Sequence, residues 1–242
     1  MTRTRRAVPE LLLIVVGVFV ALAAERWVAG GSDRALVEGY VRDLVSDLAQ
    51  DSLGNVNRIL MAEQRLAALD ALLADLNGVG SALEDERELV ALRDAQLVPT
   101  VAVQLATYQD LLGTGNLRLL EPALRRSLIE YHAAIAVVEG VIERNGGEKP
   151  EYSDLVPGRA RQRLSRPCPF GPTTAGCLRA ASEVIAQLSG PELASISSWR
   201  DLPQIRIQLE RSTNLTLRFL STMERVRVTR LAAMAAVRAA GH

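Results

Sequence analysis

The chain has few of the residues that usually build active sites. In 242 residues there are two histidines, His132 and His242, and two cysteines, Cys168 and Cys177. No phosphate-binding loop, dinucleotide fingerprint, zinc-protease helix motif or nucleophile elbow is present. Their absence excludes the enzyme classes that depend on them. His132 lies in an apolar stretch beside Tyr131 with no acid or nucleophile paired to it in sequence, so a structural histidine is expected. The cysteines lack a CxxC pair or a neighbouring histidine, which excludes the common zinc spacings. No cofactor and no metal are expected, and the chain reads as a non-enzyme.

Net charge is also lacking. Lysine plus arginine and aspartate plus glutamate both total 28, for a formal net charge of zero. Nothing in the bulk electrostatics attracts nucleic acid or an acidic partner. Aromatic residues make up 4% of the chain, so the apolar content rests on Leu, Ala and Val, with little alternation of period two. That composition predicts an all-α protein with leucine–alanine cores. No solenoid or propeller repeat is visible.

Long hydrophobic runs are absent except for one. Leu11 to Ala24 is continuously apolar and follows Arg3, Arg5 and Arg6. Its strict length fits a signal-peptide core, and Ala21 and Ala23 suit a cleavage site, so a cleaved leader is one reading. Ala7, Val8, Trp27, Val28 and Ala29 lengthen the segment to about 33 Å as a helix, so a retained transmembrane anchor is the other. Pro9 and Glu10 suit its first turn, and Gly30-Gly31 is the expected stop. The leading arginines favour a cytoplasmic N-terminus, with the rest of the chain periplasmic or extracellular. Glu10, Gly17, Ala21 and Ala24 share one face, where small residues would let two helices approach closely.

Beyond residue 31 the expected organisation is an elongated antiparallel helical bundle with a long, coiled-coil-like first helix. Residues 32–144 form its first part, 145–177 an irregular Pro/Gly-rich loop, and 178–242 the completing helices. Val37, Val41, Leu44, Leu48, Val56, Ile59, Leu66, Leu69, Leu73 and Leu76 recur at helical spacings, predicting one helix over 33–76. Asn77-Gly78-Val79-Gly80 ends it, and Ser81 with Glu84 reads as a capping box opening a helix to Ala95. A helix over 100–112 leads into the Gly115-Asn116-Leu117 turn, and Pro122 opens the next helix, to Arg144. A short helix over 178–188 follows, then the long last one, from Leu202-Pro203 to Ala240. In an exported domain, Cys168 and Cys177 are expected to form a disulfide. Arg227, Arg230 and Arg238 give the last helix a basic face suited to anionic lipid or to solvent. The sequon at Asn214 falls inside this helix and is treated as chance.

Two stretches carry a resemblance. Glu10, Gly17, Ala21-Leu22 and Trp27 match the opening of an uncharacterised bacterial family of single-anchor membrane proteins, a domain of unknown function. Tyr108, Leu111, Gly115-Asn116-Leu117, Leu124-Arg125 and Tyr131 are similar to its second conserved stretch, with Thr114 in place of Ser. The segment after Tyr40, with Leu44, Asp47-Leu48 and Asp51, is similar as well. Pro9 departs from the family's Gly, and the cysteine loop has no counterpart. The resemblance covers roughly the first 145 residues; it implies a retained anchor and no established activity. The expected function is a membrane-anchored interaction or scaffold protein acting through membrane lipid, a second copy of itself or another envelope protein. The alternatives are an extracytoplasmic ligand-binding sensor and a subunit of a larger membrane complex.

Overall fold

The computed structural model describes residues 4–80, 82–97, 105–143, 150–164 and 175–241; for 4–32 and 175 the description is of backbone alone. The first helix, α1, runs from Thr4 to Leu76 without a break. At ~1.5 Å per residue it is about 110 Å long. Gly30-Gly31, expected to stop a separate anchor helix, lies inside it. Glycine in a helix interior costs only about 1 kcal/mol, and no proline follows to remove a hydrogen-bond donor, so the helix carries on. Its true end is a Schellman motif: Val79 N–H donates to Ala74 O (2.9 Å), Gly78 N–H donates to Asp75 O (3.0 Å), and Gly78 sits at φ +66°.

The other α-helices are α2 (Asp85–Asp94), α3 (Ala106–Gly113), α4 (Pro122–Glu143), α5 (Gly158–Leu164), α6 (Ala175–Ile185), α7 (Gly190–Ser197) and α8 (Ile205–Ala240). Short 3-10 turns at Asn116–Leu119, Glu151–Asp154 and Ser198–Asp201 join some of them. Every element among the described residues is helical, so the all-α expectation holds. Several boundaries differ. The capping box expected at Ser81 does not open α2: Glu84 is its N-cap residue, in an extended conformation, and Ser81 lies outside the described residues. The stretch 145–177 is less irregular than expected, since it contains the turn at Glu151–Asp154, the whole of α5 and the start of α6. Helix α7 was not expected. Its signal is in the sequence: Ser189 is followed by Pro191 and Glu192, and Glu192 Oε2 accepts from Ser189 N–H (2.8 Å) and Ser189 Oγ (2.6 Å).

Two apolar cores lie one after the other along α1. In the proximal core, Val41, Leu44 and Leu48 of α1 meet Tyr108 and Leu111 of α3, Leu124, Leu128, Tyr131 and Ile135 of α4, and Phe219, Met223, Val226 and Val237 of α8. In the distal core, Leu69 and Leu72 meet Leu89 and Leu92 of α2, Tyr152, Ala160, Ala181, Trp199, and Ile205 and Leu209 of α8. The start of α8 therefore lies at the far end of α1. Its end returns to the proximal side, where a Cβ placed on Gly241 would lie 3.7 Å from Val41 Cγ1. Helices α1 and α8 are antiparallel and pack directly on each other, while α4 packs on α8 and reaches α1 through the Tyr131–Asp51 bond. Between the cores both long helices turn polar: Gln64 and Arg65 are buried on α1, Ser212 and Thr216 on α8.

Candidate functional site

The proximal unit is held by a ladder of polar contacts leaving α1 at fixed heights. At the lowest rung, Tyr40 Oη donates to Asp110 Oδ2 (2.8 Å) and Asn116 Nδ2 donates to Tyr40 Oη (3.0 Å). Gly115, at φ +72°, turns the chain so that Asn116 can reach back to α1. At the middle rung, Asp47 Oδ2 accepts from Thr107 N–H (3.0 Å). Leu105, at the N-cap of α3, has no side-chain cap to offer, so α1 supplies the acceptor and its negative charge faces the positive helix end.

The upper rung is buried. Tyr131 Oη donates to Asp51 Oδ2, and Asn55 Nδ2 donates to the same oxygen (2.8 Å). Arg58 Nη1 lies 3.4 Å from Asp51 Oδ1 and donates to Asn55 Oδ1 (2.6 Å). Asp51, Asn55 and Tyr131 are all buried. Burial pushes the Tyr131 phenol well above its ordinary value, and the Asp51 carboxylate adds to this; the Arg230 charge works the other way. The phenol thus stays protonated, and three donors occupy the carboxylate. This is a fixed joint between α1 and α4, not a pair poised for proton transfer.

A second polar cluster closes the distal end. Arg200 Nε donates to Asp75 Oδ2 (2.8 Å) and Arg200 Nη1 to Glu88 Oε1 (2.6 Å). Trp199 Nε1 donates to the same Glu88 oxygen, and the Arg200 guanidinium lies 4.8 Å from the centre of the Trp199 ring. The turn before α8 is thereby tied to both α1 and α2. Nearby, Arg93 pairs with Asp94 and donates through Nη1 to Leu164 O (3.0 Å). Burial raises the Asp94 carboxyl above its usual range, against the lowering influence of Arg93 and Gln64.

The residues singled out in sequence fall in different places. Gly115, Asn116 and Leu117 form the proximal turn. Arg227 is paired with Glu224 (2.6 Å) on the surface, Arg230 is half-buried with its charge near Tyr131, and Arg238 is exposed near the end of α8. His132 stacks on Tyr108 with ring centres 4.7 Å apart and meets Gln109 Nε2 at 3.4 Å, making none of the rung contacts itself. Glu10, Gly17, Ala21 and Ala24 lie on the α1 backbone, but their side chains are outside the described residues. The same holds for the apolar run as a whole; among the described residues no helix is long and apolar enough to cross a membrane. Cys177 is buried, no free cysteine occurs among the described residues, and Cys168 lies outside them. Among the described residues no group of His, Cys, Asp and Glu has the arrangement of a metal site.

Sequence reasoning missed the Asp51–Tyr131 joint and the Glu88–Trp199–Arg200 cluster. The first had a signal: Asp51, Asn55 and Arg58 interrupt the apolar stripe at helical spacing, on the buried side of α1. The second had none, because Glu88 lies more than a hundred residues before Trp199 and Arg200. Of the positions that carried the family resemblance, those after Tyr40 and in the second stretch are gathered into one unit. Tyr40, Asp47, Asp51, Asn116 and Tyr131 are rungs of the ladder, and Leu44, Leu48, Tyr108, Leu111 and Leu124 fill the core beside it. No protein-family model matches the chain, and neither does any curated protein or solved structure.

Proposed function

We propose that the chain is a membrane-anchored helical scaffold of the bacterial envelope, in the manner of the single-anchor family it resembles, and that it acts by presenting surfaces rather than by catalysis. The observation that carries this reading is the continuity of α1. The segment with the Leu11–Ala24 run and the helix that underlies both cores are one unbroken element from Thr4 to Leu76. A rigid helix of that kind holds a bundle at a fixed height and angle above a membrane. The N-terminus is cytoplasmic in this reading, and the bundle lies on the opposite side. Cys168 and Cys177 then sit in an oxidising compartment and pair. Arg238, exposed at the returning end of α8, is the arginine best placed to meet anionic headgroups.

The test is topological. Protein extracted from membranes should have an intact mass that begins at or near residue 1, and a reporter fused after His242 should be active only outside the cytoplasm. A mature N-terminus near Ala24 would remove the anchor. A reporter active only in the cytoplasm would reverse the orientation.

A further inference from the structure

Helix α1 uses one stripe for its own fold and leaves a second one open. Val41, Leu44, Leu48, Asp51, Asn55 and Ala62 face the bundle. Beside them Val45, Leu53, Val56 and Leu60 are 39%, 72%, 53% and 45% exposed. Four large apolar side chains within about four and a half turns of one helix are more than scattered surface residues. With Ala49 and Ser52, Val45 and Val56 follow spacings of four, three and four. That is a heptad seam, with Leu53 and Leu60 along its edge.

The phase of the seam indicates its occupant. Counting in sevens from Val45 back along α1 reaches Glu38, Gly31, Ala24, Gly17 and Glu10; counting from Ala49 reaches Arg42, Ala35, Val28 and Ala21. The small-residue face of the apolar run and the exposed stripe therefore hold the same two heptad positions on one continuous helix. A partner that matched this phase from membrane to bundle would need the same repeat over the same length, which a second α1 has. Glu38 and Arg42 fall on the same two positions and are both exposed, so the seam is polar there and apolar again from Val45.

We infer that α1 pairs in parallel and in register with α1 of a second copy of this chain, through Val45, Ala49, Ser52 and Val56 and onward along the same heptad phase. This rests on the anchored reading above, because the membrane holds both copies side by side and pointing the same way. The stripe from Val45 to Leu60 spans only about 24 Å, short for a stable dimer seam, and the anchor supplies the rest of its length and a high local concentration.

The experiment is cysteine scanning of the full chain in membranes, with the native chain as the blank. Val45→Cys, Ala49→Cys, Ser52→Cys and Val56→Cys should give an oxidised dimer at least about tenfold more readily than Ser46→Cys, Gln50→Cys and Asn57→Cys. Val56→Glu should lower the dimer fraction by about tenfold or more, whereas Asn57→Glu, on the adjacent polar side, should leave it unchanged. Uniform crosslinking, no crosslinking, or a crosslinked product of some other mass would overturn the seam. Intact mass of the same samples separates the two claims: a processed N-terminus sinks the anchored reading, while the crosslink pattern over 45–57 still decides the pairing.

Discussion

Tyr131→Phe removes a single oxygen from the buried joint of the proximal core, and its cost follows from what is left behind. The ring stays, so the fully buried packing of α4 on α1 is unchanged in shape. Asp51 loses one of its donors and keeps Asn55 Nδ2 at 2.8 Å and Arg58 at 3.4 Å. A hydrogen bond to a charged group contributes about 1.5–3 kcal/mol, and two remaining donors place the expected loss near the lower end, at about 1.5–2 kcal/mol. Asp51→Ala should cost more, about 3–5 kcal/mol, because the buried phenol and Asn55 Nδ2 both lose their acceptor and the part-buried Arg58 loses its carboxylate, keeping Asn55 Oδ1. The double variant should cost less than the sum by at least about 1 kcal/mol, since the two changes remove the same bond. The assay is urea unfolding of the full chain in detergent, followed by far-ultraviolet circular dichroism, comparing midpoints at constant slope. Additive single costs, or a Tyr131→Phe variant within about 0.3 kcal/mol of the native chain, would show that the bond does not hold the two helices together.

Three further expectations are simpler. Gly115 sits at φ +72° and a Cβ there would meet nothing within 4 Å, so Gly115→Val should cost about 1–2 kcal/mol from backbone strain alone and Gly115→Asn distinctly less; equal melting temperatures for the two would remove the strain argument. The folded chain holds the Asp94 proton more tightly than the unfolded chain does, because burial raises that carboxyl. Stability from this group is therefore lost as pH rises from about 4 through the folded value, and the stability of the native chain relative to Asp94→Asn should fall over that window; a flat difference would contradict the buried-acid account. Thiol labelling of denatured, unreduced protein should find no free cysteine, and reduction should lower stability by about 2–3 kcal/mol; full labelling would exclude a Cys168–Cys177 bond.

What could be read from the sequence is what depends on spacing along the chain. The stripe from Val37 to Leu76 defines α1 because its period is local, and the Asn77-Gly78 end is legible because a Schellman motif needs only neighbours. The Gly30-Gly31 stop was wrong for a related reason: glycine permits a break, but only a proline or a competing turn enforces one, and neither follows. Helix α7 was written in Ser189, Pro191 and Glu192 yet hidden by Gly190, which reads as a turn until the back-bond from Glu192 is considered. Non-local partners were not legible. Asp47 looks like one of many solvated acids until α3 arrives to be capped, and Arg200 until Asp75 and Glu88 converge on it. The sequence shows a charge's position on its own helix, but the partner is decided by which helices pack together.

The polar rungs also answer a problem that the composition creates. Cores built from Leu, Ala and Val on long helices offer many nearly equal registers, since sliding one helix by a turn of about 5.4 Å exchanges one small apolar residue for another. Helices α1 and α8 are the elements most exposed to this, because both contribute to both cores. Their polar positions are not interchangeable. A one-turn slide of α4 on α1 would move Tyr131 away from Asp51 and leave a buried carboxylate short of a donor. A slide of α8 on α1 would pull Arg200, in the turn leading into α8, from Asp75 and carry the buried Ser212 away from Tyr152 Oη. Each displaced group would cost about 1–3 kcal/mol, several times what an apolar exchange costs, so the rungs select one register among many. Register also sets where the distal end stands relative to the base of α1, which is what the proposed scaffold role would depend on.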